Sequence, residues 1–142
     1  MANKELIYDI TAALSEDIDW AEINDGNIPE FIPITGYDDT VVPFVLYSFL
    51  PRIEDVERYY ILNDSVRYYI YDNDIERMWE ISRAIREYLN VGDGVGAIKA
   101  RMPDAQYRVL SSELVYGASF PALEREGFTN TVNEFKIKYV LL

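Results

Sequence analysis

The chain has 142 residues, enough for one domain with a substantial core, and 49% of them are apolar and 14% aromatic, which is not the composition of a disordered segment. It contains neither cysteine nor histidine, so disulfides, thiol catalysis, imidazole-based hydrolytic triads and thiolate or imidazole zinc sites are all excluded. The formal net charge is −12, an electrostatic balance that repels phosphate backbones rather than gripping them.

The charge is uneven along the chain. Residues 1–51 hold ten acidic residues and one basic residue, Lys4, for a net of −9; residues 52–142 hold fifteen acidic and twelve basic, for a net of −3. No apolar run approaches the ~20 residues that cross a bilayer. The start "MANKELIYDI" lacks the basic and apolar regions of a signal peptide, so a soluble intracellular protein without membrane contact is expected.

In chain order, Leu6, Ile7, Ile10, Ala13 and Leu14 recur at helical spacing and predict a helix over 3–15. Residues 16–40 carry three turn signals, Asp25-Gly26, Ile28-Pro29 and Ile32-Pro33, and are expected to form a long acidic irregular segment that packs on the core or on a neighbour. "TVVPFVLYSFL" (40–50) reads as a strand, with Pro43 placing it at an edge or bulge. "RIEDVERYYILND" is either a charged excursion or the turn and return of a hairpin, and "SVRYYIYD" (65–72) is a second strand.

The strongest helical signal covers 74–90. Ile75, Met78, Trp79, Ser82, Ile85 and Leu89 define its apolar face, widened by Ile81 and Tyr88, and Arg77, Glu80, Arg83, Arg86 and Glu87 cover much of the rest. "NVGDGVG" ends it. "AQYRVLSSELVYGA" (105–118) is a third strand, and the C-terminal "FTNTVNEFKIKYVLL" a fourth, in which Phe135, Ile137, Tyr139 and Leu141 alternate with Glu134, Lys136 and Lys138. The expectation is a single α+β domain over 1–142: an antiparallel sheet of about four strands, one main amphipathic helix packed across it, and an N-terminal helix.

Three stretches invite a chemical reading. "YDND" could supply Asp72, Asp74 and Glu76 to Mg²⁺ or Ca²⁺. Counted as a calcium loop from Asp72, however, Arg77 stands where a glycine is required and Arg83 where the bidentate glutamate belongs. A helix start explains the residues better: Asn73 as N-cap, Glu76 completing a capping box, and Asp72 and Asp74 at the positive end of the helix dipole. "GDGVGAIK" (92–99) matches neither a P-loop nor a dinucleotide fingerprint. Gly92 or Gly94 is expected to end the helix in a left-handed conformation, leaving Gly92, Gly94, Gly96, Lys99 and Arg101 as a candidate docking loop. The tyrosines of "RYY…RYY…YDN" resemble a stacking platform, but with only four lysines in the chain they suit core and interface better than bases.

Taken together, the order of helix, long loop, "PFVLYSF" strand, "DSVRYYIYDND" junction, "IERMWEISRAIREYL" helix, "YRVL" strand and closing "EFKIKYVL" strand resembles the tail terminator family of long-tailed bacteriophages, also called tail completion or tail-to-head joining proteins. The resemblance covers roughly 40–142 and rests on an order of elements with one distinctive junction. It implies a structural virion protein, not an enzyme and without a cofactor. Such a protein assembles in the host cytoplasm into a hexameric ring at the head-proximal end of the tail tube. It contacts the tail tube protein on one side and a neck or head-completion protein on the other, while DNA passes through the hole. The acidity of the chain fits such passage if part of Glu16–Asp39, a segment to which the resemblance does not extend, faces that channel. Residues Glu22 and Glu30 of the acidic third of one subunit are expected to meet Arg77, Arg83 and Arg86 of its neighbour. The alternatives are another neck component such as an adaptor or stopper, a Mg²⁺-dependent nuclease or phosphatase using the carboxylates, and an acidic inhibitor or DNA mimic.

Overall fold

The computed structural model describes residues 4–21, 23, 26–33, 43–52, 61–96, 98, 107–121 and 129–141. The elements follow as α1 (Lys4–Asp17), β1 (Glu30–Pro33), β2 (Phe44–Arg52), β3 (Ile61–Asp72), α2 (Ile75–Leu89), β4 (Tyr107–Pro121) and β5 (Thr129–Leu141). The strands form one five-stranded sheet in the order β1-β2-β3-β5-β4. The fold is α+β, as expected, but the sheet is mixed rather than antiparallel throughout.

The fifth strand is β1, which lies within the stretch expected to be irregular and pairs in parallel with β2 from Glu30↔Phe44 to Pro33↔Tyr47. Pro29 precedes its four residues and Pro33 is the last of them, and that composition reads as turns. Pairing with the apolar edge of β2 overrides the local signal, and Pro33 is tolerated because the strand is at the sheet's edge. α1 also runs on to Asp17. The undecided "RIEDVERYYILND" stretch resolves in its described part. β2 and β3 are antiparallel neighbours paired out to Arg52↔Asn63, so Ile61–Asp64 is the return of a hairpin; residues 53–60 lie outside the described residues.

Strand alternation decides the core. Val45 and Tyr47 of β2, Val66, Tyr68 and Ile70 of β3, and Phe135, Ile137 and Tyr139 of β5 share one face and are all buried. Both helices lie on this face: Leu6, Ile7, Ile10 and Leu14 of α1 and Met78, Ile81, Ile85 and Leu89 of α2 join the same cluster. Burial of each large side chain contributes about 1.5–3 kcal/mol. At the centre, the fully buried Tyr68 sets its hydroxyl 3.0 Å from Thr11 Oγ1 of α1 and its ring edge-on to Phe135. Burial raises the Tyr68 phenol far above its ordinary value, against a smaller opposing effect of the Thr11 hydrogen bond.

The apolar face of α2 is rotated from the one its sequence suggested. Met78, Ile81, Ser82, Ile85 and Leu89 are buried, whereas Ile75 and Trp79 are 53% and 44% exposed. Ser82 accounts for the rotation: its hydroxyl accepts from Asn133 Nδ2 at 3.0 Å, a fully buried amide of β5, and this contact turns Ser82 toward the sheet. The opposite sheet face carries a second apolar cluster of Phe44, Leu46 and Tyr71, with Ile32 and Tyr69 beside it.

Candidate functional site: the strand-to-helix junction and the outer face of the second helix

β3 delivers Asp72 to the core side of the sheet, where it is fully buried. Arg77, one helical turn on, clasps it: Nε donates to Oδ2 and Nη2 to Oδ1, both at 2.7 Å. The backbone N–H of Asp74 also donates to Asp72 Oδ1, at 3.2 Å. Asp74 in turn caps α2, its Oδ1 accepting from the N–H of Glu76 at 3.1 Å and of Arg77 at 3.2 Å. The cap is therefore Asp74 and not Asn73, and Glu76 falls one position early for a capping box. The cause is tertiary. After a bend at Asn73 the backbone is extended at Asp74 (φ −110°, ψ 108°), so the helix begins one residue later and Arg77 stands where it can reach Asp72.

This geometry bears on the metal reading. Asp72 commits both oxygens to the guanidinium, with Oδ1 also taking an amide, and Asp74 commits Oδ1 to two amides. Among the described residues, no group of three or more carboxylates is placed to share a cation.

The outer surface of α2 holds the remaining charge. Arg83 is exposed and borders two shallow clefts. One, of about 350 Å³, is walled by Trp79, Arg83, Arg86 and Glu87; the other, of about 440 Å³, lies between α2 and the segment after α1, where Asp19 and Ile23 face Glu80, Arg83, Ala84 and Glu87. Arg86 is half-buried: Nη2 donates to Ser82 Oγ at 3.3 Å, and Nε is buried without an acceptor among the described residues. The three arginines expected to face a neighbour thus differ. Arg77 is committed inside the chain, Arg86 lies partly beneath the surface, and Arg83 is exposed between Glu80 and Glu87 along the helix. Glu30 is exposed at the start of β1, and Glu22 lies outside the described residues.

The glycine segment is pinned rather than loose where it is described. Gly92 takes φ +59° and exchanges two 2.8 Å hydrogen bonds with Ser112 of β4. Gly94 donates to Val91 O at 2.9 Å, and Val95 and Ile98 are buried in the core. Gly96 is exposed; Lys99 and Arg101 lie outside the described residues. Gly92 supplies the expected left-handed residue, two positions beyond the Asn90 C-cap.

One feature of the site was missed from the sequence. On the sheet face away from the helices, Arg67 of β3 and Glu134 of β5 face each other across the ladder, with Nε donating to Oε1 at 2.5 Å. The Glu134 hydrogen bond raises the Arg67 guanidinium above its ordinary value, with a smaller contribution from Tyr69. They line a depression of about 460 Å³ with Tyr69, Tyr116 and Val132. The signal was present: both strands alternate with period two, which puts Arg67 and Glu134 on the polar side of each, but register between strands is not written in either. No family model matches the chain, and no curated protein matches it.

Proposed function

We propose that this chain is a structural virion protein that forms a closed ring at the head-proximal end of a phage tail tube, ends polymerisation of the tube, and joins the tail to the head or neck. The observation that carries this reading is the junction on which the resemblance rests. The "DSVRYYIYD" strand is the central strand β3, it breaks at Asp72–Asp74, and α2 returns from there across β3, β5 and β4. That order of elements supports the reading, since it sets one face of α2 against the sheet and leaves the other outward. The solvent-facing Ile75 and Trp79 on α2 support a role in assembly, since exposed aromatic residues beside arginine are enriched at interfaces. The net charge of −12 supports passage of DNA without retention.

The function asked of the chain is mechanical, and Asp72 and Asp74 serve it by holding the junction rigid. The test is mass by light scattering across a range of concentrations, with negative-stain images of the same fractions and of fractions mixed with purified tail tubes. Six-fold rings, free or seated on tube ends, are expected. A monomer that also leaves tube ends bare and tube length unchanged overturns the reading.

A further inference from the structure

The sheet ends in β1 on one side and β4 on the other, and its register relates these two edges. One row runs Glu30↔Phe44, Phe44↔Tyr71, Tyr71↔Asn130 and Asn130↔Phe120; another runs Pro33↔Tyr47, Tyr47↔Tyr68, Tyr68↔Asn133 and Asn133↔Gly117. The four residues of β1 therefore lie level with 117–120 of β4. β1 runs parallel to β2, and each later neighbour reverses direction, so β4 points opposite to β1. Nearer its start, β4 is closed on its outer side: Gly92 pairs with Ser112, and Asn90 Oδ1 accepts the N–H of Leu114 at 3.0 Å. A bulge follows between Leu114 and Tyr116. Beyond it no strand pairs with the outer side among the described residues, and Val115 and Tyr116 are 46% and 53% exposed.

We propose that residues 117–120 of β4 receive β1 of a second copy of this chain, as an antiparallel ladder that carries the sheet from one subunit into the next. Polarity supports this. A copy set head to tail with its strands in the same sense brings β1 against β4 in antiparallel alignment, the pairing with hydrogen bonds perpendicular to the strands. Level supports it too, because the two edges meet without a shift along the strand direction. Successive copies then rotate without climbing, which is the condition for a closed ring instead of a filament. The open stretch, between Leu114 and the end of β4 at Pro121, is long enough to take all four residues of β1. On the outer face, Ile32 of one copy becomes a diagonal neighbour of Tyr116 of the next, and both are at least partly exposed in the single chain. Joining β1 to β4 consumes both edges of the sheet, which otherwise template indiscriminate pairing.

The joint rests on the ring reading and names its contact surface. Because the chain has no cysteine, a Pro33→Cys/Gly117→Cys double variant reports this joint alone. Facing residues of an antiparallel ladder have Cα atoms about 4.5–5.5 Å apart, within the span of a disulfide. A side chain at 117 meets nothing nearer than Asn133 Oδ1 at 3.6 Å. Oxidised at ring-forming concentration, the double variant is expected to give a ladder of covalent multimers on a non-reducing denaturing gel, and each single variant only monomer. Rings of the unmodified chain combined with a monomeric double variant overturn the joint and leave the ring standing. No ring in solution or on tube ends overturns both. Amide exchange on the unmodified chain gives a second measurement should the variant fail to fold. Amides of 117–120 are expected to exchange at least about tenfold more slowly in the ring than in the monomer; equal rates overturn the joint.

Discussion

Arg77 holds the fully buried Asp72 with two 2.7 Å hydrogen bonds, so the residue that ends the central strand is tied to the first turn of the main helix. The guanidinium is partly solvated, with 26% of its side chain exposed, whereas the carboxylate has no contact with solvent. Removing the two partners is therefore not equivalent. Arg77→Ala strands a buried charge and is expected to cost about 3–5 kcal/mol in urea unfolding. Asp72→Asn leaves a cation that can turn to water and should cost clearly less. Equal losses would show that the buried carboxylate is compensated by other groups.

Placing the cap at Asp74 makes a narrow forecast. Asp74→Ala removes the acceptor for two first-turn amides and is expected to lower stability by about 1 kcal/mol. Asn73→Ala, at an exposed bend one residue earlier, should stay within about 0.5 kcal/mol of the parent. A reversed order in chemical denaturation would return the cap to Asn73.

Alkaline pH should unfold the chain cooperatively. Burial raises the phenols of Tyr68, Tyr139, Tyr88 and Tyr47 above the ordinary 10.0; Asp64 adds to the rise at Tyr139, Asp17 at Tyr88 and Tyr8 at Tyr47. A raised folded value means that the folded chain keeps a proton which the unfolded chain releases. The stabilisation is thus fully present below pH ~10 and is lost as pH climbs from there toward the folded values. For Tyr68, fully buried, the loss is about 1.4 kcal/mol per pH unit above 10. Absorbance at the phenolate band should show these tyrosines ionising together with loss of helical circular dichroism, and Tyr68→Phe should flatten the pH slope. Ionisation of all twelve tyrosines while the fold persists would contradict this burial.

The two tryptophans differ in a way that reports assembly. Trp20 is 4% exposed and its indole donates to Ser15 O, whereas Trp79 is 44% exposed on α2. Acrylamide should quench one tryptophan in the monomer, and Trp79→Phe should remove most of that quenching with stability changed by less than about 0.5 kcal/mol. If α2 faces a neighbour, quenching falls on assembly and Arg83→Glu weakens assembly at unchanged thermal stability. Unaltered quenching in the assembled state would place α2 on the outside.

Much of the fold was legible. The period-two alternation in "EFKIKYVLL" and the helical spacing in "IERMWEISRAIREYL" locate β5 and α2 to within a residue or so, because burying one face repeats at a fixed interval. β1 was not legible. "EFIP" has no internal period, follows Pro29 and ends on Pro33, and only the edge of β2 makes it a strand. The placement of Ile75 and Trp79 was lost for a related reason: a hydrophobic stripe wide enough to hold them gives no sign of which edge faces water, and Ser82 meeting Asn133 turned the helix.

The sequence by itself determined the α+β class, the number and order of the longer elements, the strand-to-helix break at Asp72–Asp74, and the exclusion of thiol and imidazole chemistry. These depend on local periodicity, turn chemistry and the residue types present. Only the tertiary structure decided the parallel β1, the Asp72–Arg77 clasp, the Arg67–Glu134 pair and the common level of β1 and β4. Each of those is a register between segments distant in the chain, and register is set by how whole surfaces pack against one another, which no single stretch of sequence contains.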